Sequence, residues 1–246
     1  MGIDQYLVLA LTVAVAYAVF GLTGFGAAMV AVPVLVQFIP LHLVVPMLLM
    51  LDLVTTSLVG MRNWSAVSRS ELVRLFPCML VGVTLGTTAL ARLETRWLLV
   101  GLGIFVLLMT GRSLLRSAAA AQQTRRIWAV PAGVVGGAFS ALFGTGGPVY
   151  TMYLSRRLPD MDQFRATISA VILVSAFARL LAFASSGLLQ QPALLRSTAV
   201  AMPFCLIGLA LGSRLRRRIS PEAVRRALLL FLAASGTLVL YRGWMS

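Results

Sequence analysis

Two glycine clusters, Gly21-Leu22-Thr23-Gly24-Phe25-Gly26 and Gly144-Thr145-Gly146-Gly147-Pro148, decide how this chain folds, because each interrupts an apolar run too long for one membrane helix. The runs cover residues 6–38 and 127–154, which is 33 and 28 residues. As one helix the first would reach about 50 Å, against a hydrocarbon core of about 30 Å. Glycine permits positive φ, so one helix can stop there and another begin. Pro148 suits the first position of the new helix, where its missing N–H would have been unpaired anyway. Each long run is therefore expected to form two short helices joined by a glycine turn.

Six further apolar runs, at residues 44–61, 72–91, 97–115, 164–189, 197–215 and 223–241, have the length of single crossings. The chain is 246 residues long, 59% hydrophobic and 11% charged, with a mean hydropathy of +0.93. A soluble domain carries roughly a quarter charged residues, so an ordinary globule is excluded. The expectation is an all-α polytopic protein forming a single membrane domain over residues 1–246. Residues 1–5 hold Asp4 and no basic residue, so they lack the positive start of a secretory signal and read as mature sequence. Two cysteines inside apolar runs, one histidine (His42) and seven scattered acids assemble neither a disulfide framework, a metal site nor a catalytic set. No cofactor, no metal and no enzymatic activity are expected.

The charge is almost all of one sign: 21 arginines, no lysine and seven acids give +14 and a pI near 11.6. Nucleic acid is not the expected partner, because the arginines sit in short clusters between apolar runs and no solvated basic domain carries them. Retention of basic loops in the cytoplasm accounts for them better. If every run crossed once, nine arginines would lie inside and eleven outside, which is no bias. If the long runs double back at their glycines, sixteen share one face: Arg62, Arg69, Arg74, Arg112, Arg116, Arg125, Arg126, Arg156, Arg157, Arg165, Arg214, Arg216, Arg217, Arg218, Arg225 and Arg226. Four fall opposite (Arg92, Arg96, Arg196, Arg242), and Arg179 stays inside a span. Arg216, Arg217 and Arg218 would face the anionic headgroups of the cytoplasmic leaflet.

Doubling back only the second run gives the same arginine count, and an internal repeat breaks the tie. Gly24-x-Gly26 matches Gly144-x-Gly146 at an offset of 120, and Pro77-x4-Gly82-x3-Gly86 recurs as Pro203-x4-Gly208-x3-Gly212 at an offset of 126. The halves are residues 6–115 and 127–242, joined by a cytoplasmic linker at 116–126. A glycine-broken hairpin plus three crossings is an odd number of crossings, so the second half starts on the opposite side. The expectation is two inverted-topology repeats, an arrangement common in secondary transporters.

Broken helices near the midplane leave N–H groups and the positive end of a helix dipole pointing inward, which favours an anion. The substrate-binding candidates are Thr23, Gly24, Phe25 and Gly26 in the first turn, and Thr145, Gly146 and Gly147 in the second. Charges inside apolar spans are costly and mark function. Arg179 is a candidate bidentate partner for an oxyanion, and Asp52 a candidate carrier of a coupling proton. The structural alternative is that these two pair with each other, or that Arg179 snorkels to an interface. Gly82-x3-Gly86 and Gly208-x3-Gly212 read as faces for close helix contact. Gly24-x-Gly26 follows no strand and is not a dinucleotide fingerprint.

Phe20-Gly21-Leu22-Thr23-Gly24-Phe25-Gly26-Ala27-Ala28-Met29-Val30-Ala31-Val32-Pro33, its counterpart Phe139-Ser140-Ala141-Leu142-Phe143-Gly144-Thr145-Gly146-Gly147-Pro148, and the Ile207-Gly208 to Arg218 stretch resemble the TauE/SafE sulfite exporter family over nearly the whole chain. The resemblance implies a multi-pass transporter of the bacterial inner membrane that exports a small sulfur-containing or organic anion, such as sulfite or a sulfonate. Pro148 and Tyr150 depart from the family's usual pattern beside the proposed site, so the substrate is left open. The mechanism that fits is alternating access driven by a proton gradient or the membrane potential; the competing reading is an anion channel using the same helix ends. A membrane scaffold without ligand and a homodimeric state both remain open at this point.

Overall fold

A computed structural model describes the backbone of residues 3–23, 26–60, 65–115, 125–215 and 221–245. Every regular element among them is helical: α1 (Ile3–Thr23), α2 (Ala27–Leu35), α3 (Leu41–Gly60), α4 (Arg69–Arg92), α5 (Thr95–Leu115), α6 (Ala129–Phe143), α7 (Gly147–Leu154), α8 (Met161–Ser185), α9 (Pro192–Leu215) and α10 (Pro221–Met245). A 3₁₀ turn at Arg126–Trp128 leads into α6. The six single runs read from hydropathy become α3, α4, α5, α8, α9 and α10. Six described helical stretches are long and apolar enough to cross a membrane, and α5 and α10 carry shorter apolar stretches, Thr95–Gly111 and Leu228–Trp244. The chain is a polytopic, all-helical membrane protein.

Both long runs break at their glycines. Gly26 lies in the left-handed region at φ 95° just before α2, and Gly144 at φ 68° just after α6. An L side chain adopts that conformation only at a cost, whereas glycine does not. The Gly144 N–H donates to the Ser140 carbonyl at 2.9 Å and the Thr145 N–H to the Phe139 carbonyl at 3.3 Å, satisfying last-turn carbonyls that a buried helix end would leave unpaired. Pro148 follows at the start of α7, as its fixed φ and absent N–H favour. The split is uneven, which corrects the expectation of two short helices per run. With 21 residues α1 is about 32 Å long, long enough for a hydrocarbon core, while α2 has nine residues. The break falls at the glycines the sequence marked; the first helix is longer because α1 begins at Ile3, ahead of the apolar run, and the second shorter because α2 ends at Leu35, before the run does. The first hairpin is closed at its mouth by Gln5 Nε2 donating to the Phe38 carbonyl at 3.3 Å.

The chain packs as two compact units, and neither follows its halves. Unit 1 contains α1, α2, the start of α3, α5, α9 and α10; unit 2 contains the rest of α3, then α4, α6, α7 and α8. Within unit 1, α1 lies directly on α9. A Cβ added at Gly208 would strike the Ala14 carbonyl, one at Gly212 the Ala18 carbonyl, and one at Gly21 would sit 2.7 Å from the Leu209 carbonyl. Also in unit 1, α5 meets α10, with Gly103 against Leu240 and Gly236 against Val106. Within unit 2, α4 lies as closely on α6. Gly82 faces the Val134 carbonyl, a Cβ at Gly86 would be 2.5 Å from the Ala138 carbonyl, and Gly137 faces the Met79 carbonyl. Lipid tails are as apolar as leucine, so helices in a bilayer associate through close van der Waals packing, which small residues allow. Ala14 and Val134, like Ala18 and Ala138, are 120 residues apart, and Gly82 and Gly208, like Gly86 and Gly212, are 126 apart. Each small-residue face therefore packs on the hairpin of the other half of the chain.

Outside these contacts the helices are apolar outward. On α1, Leu7, Leu11 and Val15 are exposed at a spacing of four while Leu9, Val13 and Ala16 are buried. A membrane protein presents such a stripe to lipid, where a soluble protein would aggregate.

Candidate functional site

Unit 2 gathers polar side chains inside its helices. Arg179, on α8, is 3% exposed, and its Nη1 donates to the Ser140 carbonyl in the last turn of α6 at 3.2 Å. Its Nη2 lies 3.9 Å from Oδ2 of Asp52, on α3, which is 9% exposed. That separation is about 1 Å longer than a charge-assisted hydrogen bond. The partnership that the sequence left as an alternative is therefore present, and Arg179 points inward without snorkelling.

The glycine turn and α7 complete the cluster. A Cβ at Gly146 would strike Ser140 Oγ and the Gly136 carbonyl, and one at Gly136 would strike the Tyr150 ring. Two glycines thus let α7 lie on α6 with the Tyr150 phenol, fully buried, against the helix. Its hydroxyl is near enough to Ser140 and Ser175 to interact with both and lies within the field of Arg179, though with neither serine at full hydrogen-bond geometry. The hydroxyls of Thr145, in the turn, and Ser175, on α8, are likewise buried without a well-aligned partner. A buried hydroxyl without a well-aligned partner costs about 1–3 kcal/mol, so the Tyr150 and Ser175 hydroxyls beside a guanidinium form an arrangement that an oxyanion would satisfy.

Five of the residues singled out from sequence thus share unit 2: Asp52, Thr145, Gly146, Gly147 and Arg179. Gly146 caps α7 and accepts from the Val149 and Tyr150 N–H groups, while Gly147 opens the helix. Pro148 supplies no N–H, so this helix start offers fewer donors to an anion than usual. The first turn belongs to unit 1. There Thr23 Oγ1 donates to the Val19 carbonyl of its own helix at 2.8 Å, and Gly26 shapes the turn. Gly24 and Phe25 lie outside the described residues, as do Arg62, Arg116, Arg216, Arg217, Arg218 and residues 116–124 of the linker. The two turns also differ in chemistry: at an offset of 120, Ser140 corresponds to Phe20 and Tyr150 to Val30.

A second buried cluster went unread in the sequence. Glu71, near the start of α4 and 3% exposed, accepts from Tyr153 Oη at 2.6 Å, from Arg74 Nη1 at 2.7 Å and from Arg157 Nη2 and Nε at 3.0 and 3.2 Å. It clamps the far end of α7, whose inner end carries Tyr150. Only the Glu71–Arg74 spacing of three on one helix was a local signal. Among the described residues, no three His, Cys, Asp or Glu side chains gather as metal ligands.

Comparison with known proteins agrees with this architecture. The chain matches the family described as "Sulfite exporter TauE/SafE" over residues 9–239. It is 30% identical over 199 residues, 80% of this chain and 83% of the relative, to a protein from Comamonas testosteroni named "Probable inner membrane transporter protein TsaS". No solved structure matches it. With matching residues running from α1 to α10, the chain belongs to the sulfite exporter TauE/SafE family and is a membrane transporter.

Proposed function

We propose that this protein is a secondary transporter of the bacterial inner membrane that moves a small sulfur-containing or organic oxyanion by alternating access. The anion binds in unit 2 to Arg179 and to the hydroxyls of Tyr150, Ser175 and Thr145. The observation that carries the reading is the guanidinium held on the Ser140 carbonyl beside the buried Tyr150 hydroxyl, which has Ser175 next to it. A planar cation with several N–H donors suits an oxyanion with two or three oxygens. The family's name and the relative's name both support transport.

The test is saturable flux with counterflow of sulfite, sulfate, methanesulfonate or a small carboxylate in proteoliposomes, after thermal-shift screening for the best ligand. Steady ionic conductance in planar bilayers would make the protein a channel instead. Asp52→Asn/Arg179→Gln, which leaves no buried charge alone, is expected to weaken the best ligand at least about a hundredfold, the usual consequence of removing a desolvated charged partner. Tyr150→Phe should weaken it about tenfold while changing the melting temperature little, because the hydroxyl it removes has no well-aligned partner in the protein. Unchanged affinity in both variants would remove the site from unit 2.

We further propose that residues 6–115 and 127–242 are inverted repeats joined on the cytoplasmic side, a reading supported by the paired offsets of the glycine contacts. In intact cells, Ala120→Cys should resist a membrane-impermeant thiol reagent; labelling from outside would overturn the topology.

A further inference from the structure

We infer that Asp52 is the counter-ion that an incoming anion displaces from Arg179, and that it takes up a proton in the same step, so that one proton moves with each anion. This rests on the reading of Arg179 as the anion's partner. Before binding, the pair is neutral as a whole: one carboxylate at 3.9 Å from one guanidinium, both buried. The guanidinium has a second anchor, the Ser140 carbonyl at 3.2 Å, so it stays in place when its carboxylate partner is exchanged. The long Asp52 contact is the one an anion can replace.

Arrival of the anion brings a second negative charge to the buried Arg179 guanidinium. Two anions in a region of low dielectric that share one cation cannot both stay ionised, so one takes a proton. Arginine cannot release one to balance the charge, and a sulfonate is too weak a base to accept one. Asp52 is the group that can. The titratable and charged groups described around it are Arg179 from α8 and, facing Arg179 from α7, the Tyr150 phenol; α6 contributes the Ser140 carbonyl. The balance is complete without another reactant: the Asp52 carboxylate gains one proton from the aqueous side, the anion takes its place on Arg179, and release of the anion returns the proton. The site carries zero net charge before and after.

Proton and anion therefore travel in the same direction, and the membrane potential does no work on the loaded carrier. An inward proton gradient favours uptake, and export proceeds when the internal anion concentration outweighs that gradient.

The experiment is titration calorimetry of the full-length protein in detergent with methanesulfonate, which has no titratable group near neutral pH. Measured in two buffers of different ionisation enthalpy, it reads proton uptake directly. The expected result is about one proton taken up per anion, with the apparent Kd rising up to about tenfold per pH unit. Asp52→Asn should bind with uptake near zero and little dependence on pH. Binding without proton uptake, or equal uptake by Asp52→Asn, overturns the coupling and leaves the anion site standing. If methanesulfonate, sulfate and sulfite all fail to bind the wild-type protein, the site reading falls and the coupling with it. Should Asp52→Asn not fold, wild-type proteoliposomes decide: methanesulfonate uptake should alkalinise the exterior and be unchanged by a valinomycin-clamped potential, and flux that follows the potential overturns the inference.

Discussion

Leucine in place of Gly82 or Gly212 is expected to prevent folded protein from accumulating, whereas Gly111→Ala leaves it unchanged. A Cβ at Gly82 would overlap the Val134 carbonyl in unit 2, and one at Gly212 the Ala18 carbonyl in unit 1. Both obstacles are backbone atoms of a neighbouring helix, which no rotamer change can move. The helices would have to separate, and a gap of even 1 Å forfeits a quarter to a half of each contact's attraction along the face. Overpacking of a tight core costs about 1–3 kcal/mol where side chains can yield, so a clash with main chain is expected at or above the top of that range. Gly111 has nothing within 4 Å of an added Cβ, and alanine also favours the helix. Size-exclusion profiles and thermal melting in detergent would show the difference. A wild-type melting curve for Gly212→Leu would mean that α1 and α9 do not approach this closely.

Glu71→Ala is expected to destabilise the protein by about 1–3 kcal/mol, the usual cost of leaving the buried Tyr153 hydroxyl unsatisfied. It would strand the Tyr153 hydroxyl and remove the Arg157 ion pair at the end of α7. Arg74→Ala should cost under about 1 kcal/mol, because that side chain is 31% exposed and its bond to Glu71 is a local i,i+3 pair. The comparison is made by thermal denaturation of the two variants in the same detergent. Equal losses would mean that the network is held by the helical pair alone, and that Arg157 and Tyr153 do not anchor α7. Because Tyr150 lies one turn before Tyr153 on that short helix, loss of the clamp should also lower affinity for the transported anion.

Much of the fold was legible because membrane helices are encoded locally. Hydropathy marked the spans, and glycine marked the breaks at residues 24–26 and 144–146, since only glycine occupies the left-handed region there without strain. A lone arginine in an apolar run pointed to Arg179 for a reason that is also local: burying a charge is so costly that an isolated one marks a partner. The exact ends of the helices flanking each break were not legible, nor was the use to which each turn's hydroxyl is put. Repeat symmetry matched Thr23 with Thr145, but the first hydroxyl is spent on its own helix and the second is buried without a partner. Tyr150 stood out in the sequence as a departure from the family's pattern, and its place beside Arg179 came only with the packing of α7 on Gly136.

By itself, then, the sequence determined an all-helical membrane protein, the positions of its two breaks, and the buried charge at Arg179. These depend on the transfer free energy and backbone freedom of consecutive residues. Which helices meet was decided only by the tertiary structure: α1 on α9, α4 on α6, and Glu71 with residues 82 and 86 positions further along the chain. Apolar surfaces in lipid have no hydrophobic preference for one another, so partners are chosen by how closely two backbones can approach. That property belongs to a pair of distant segments and to neither one alone.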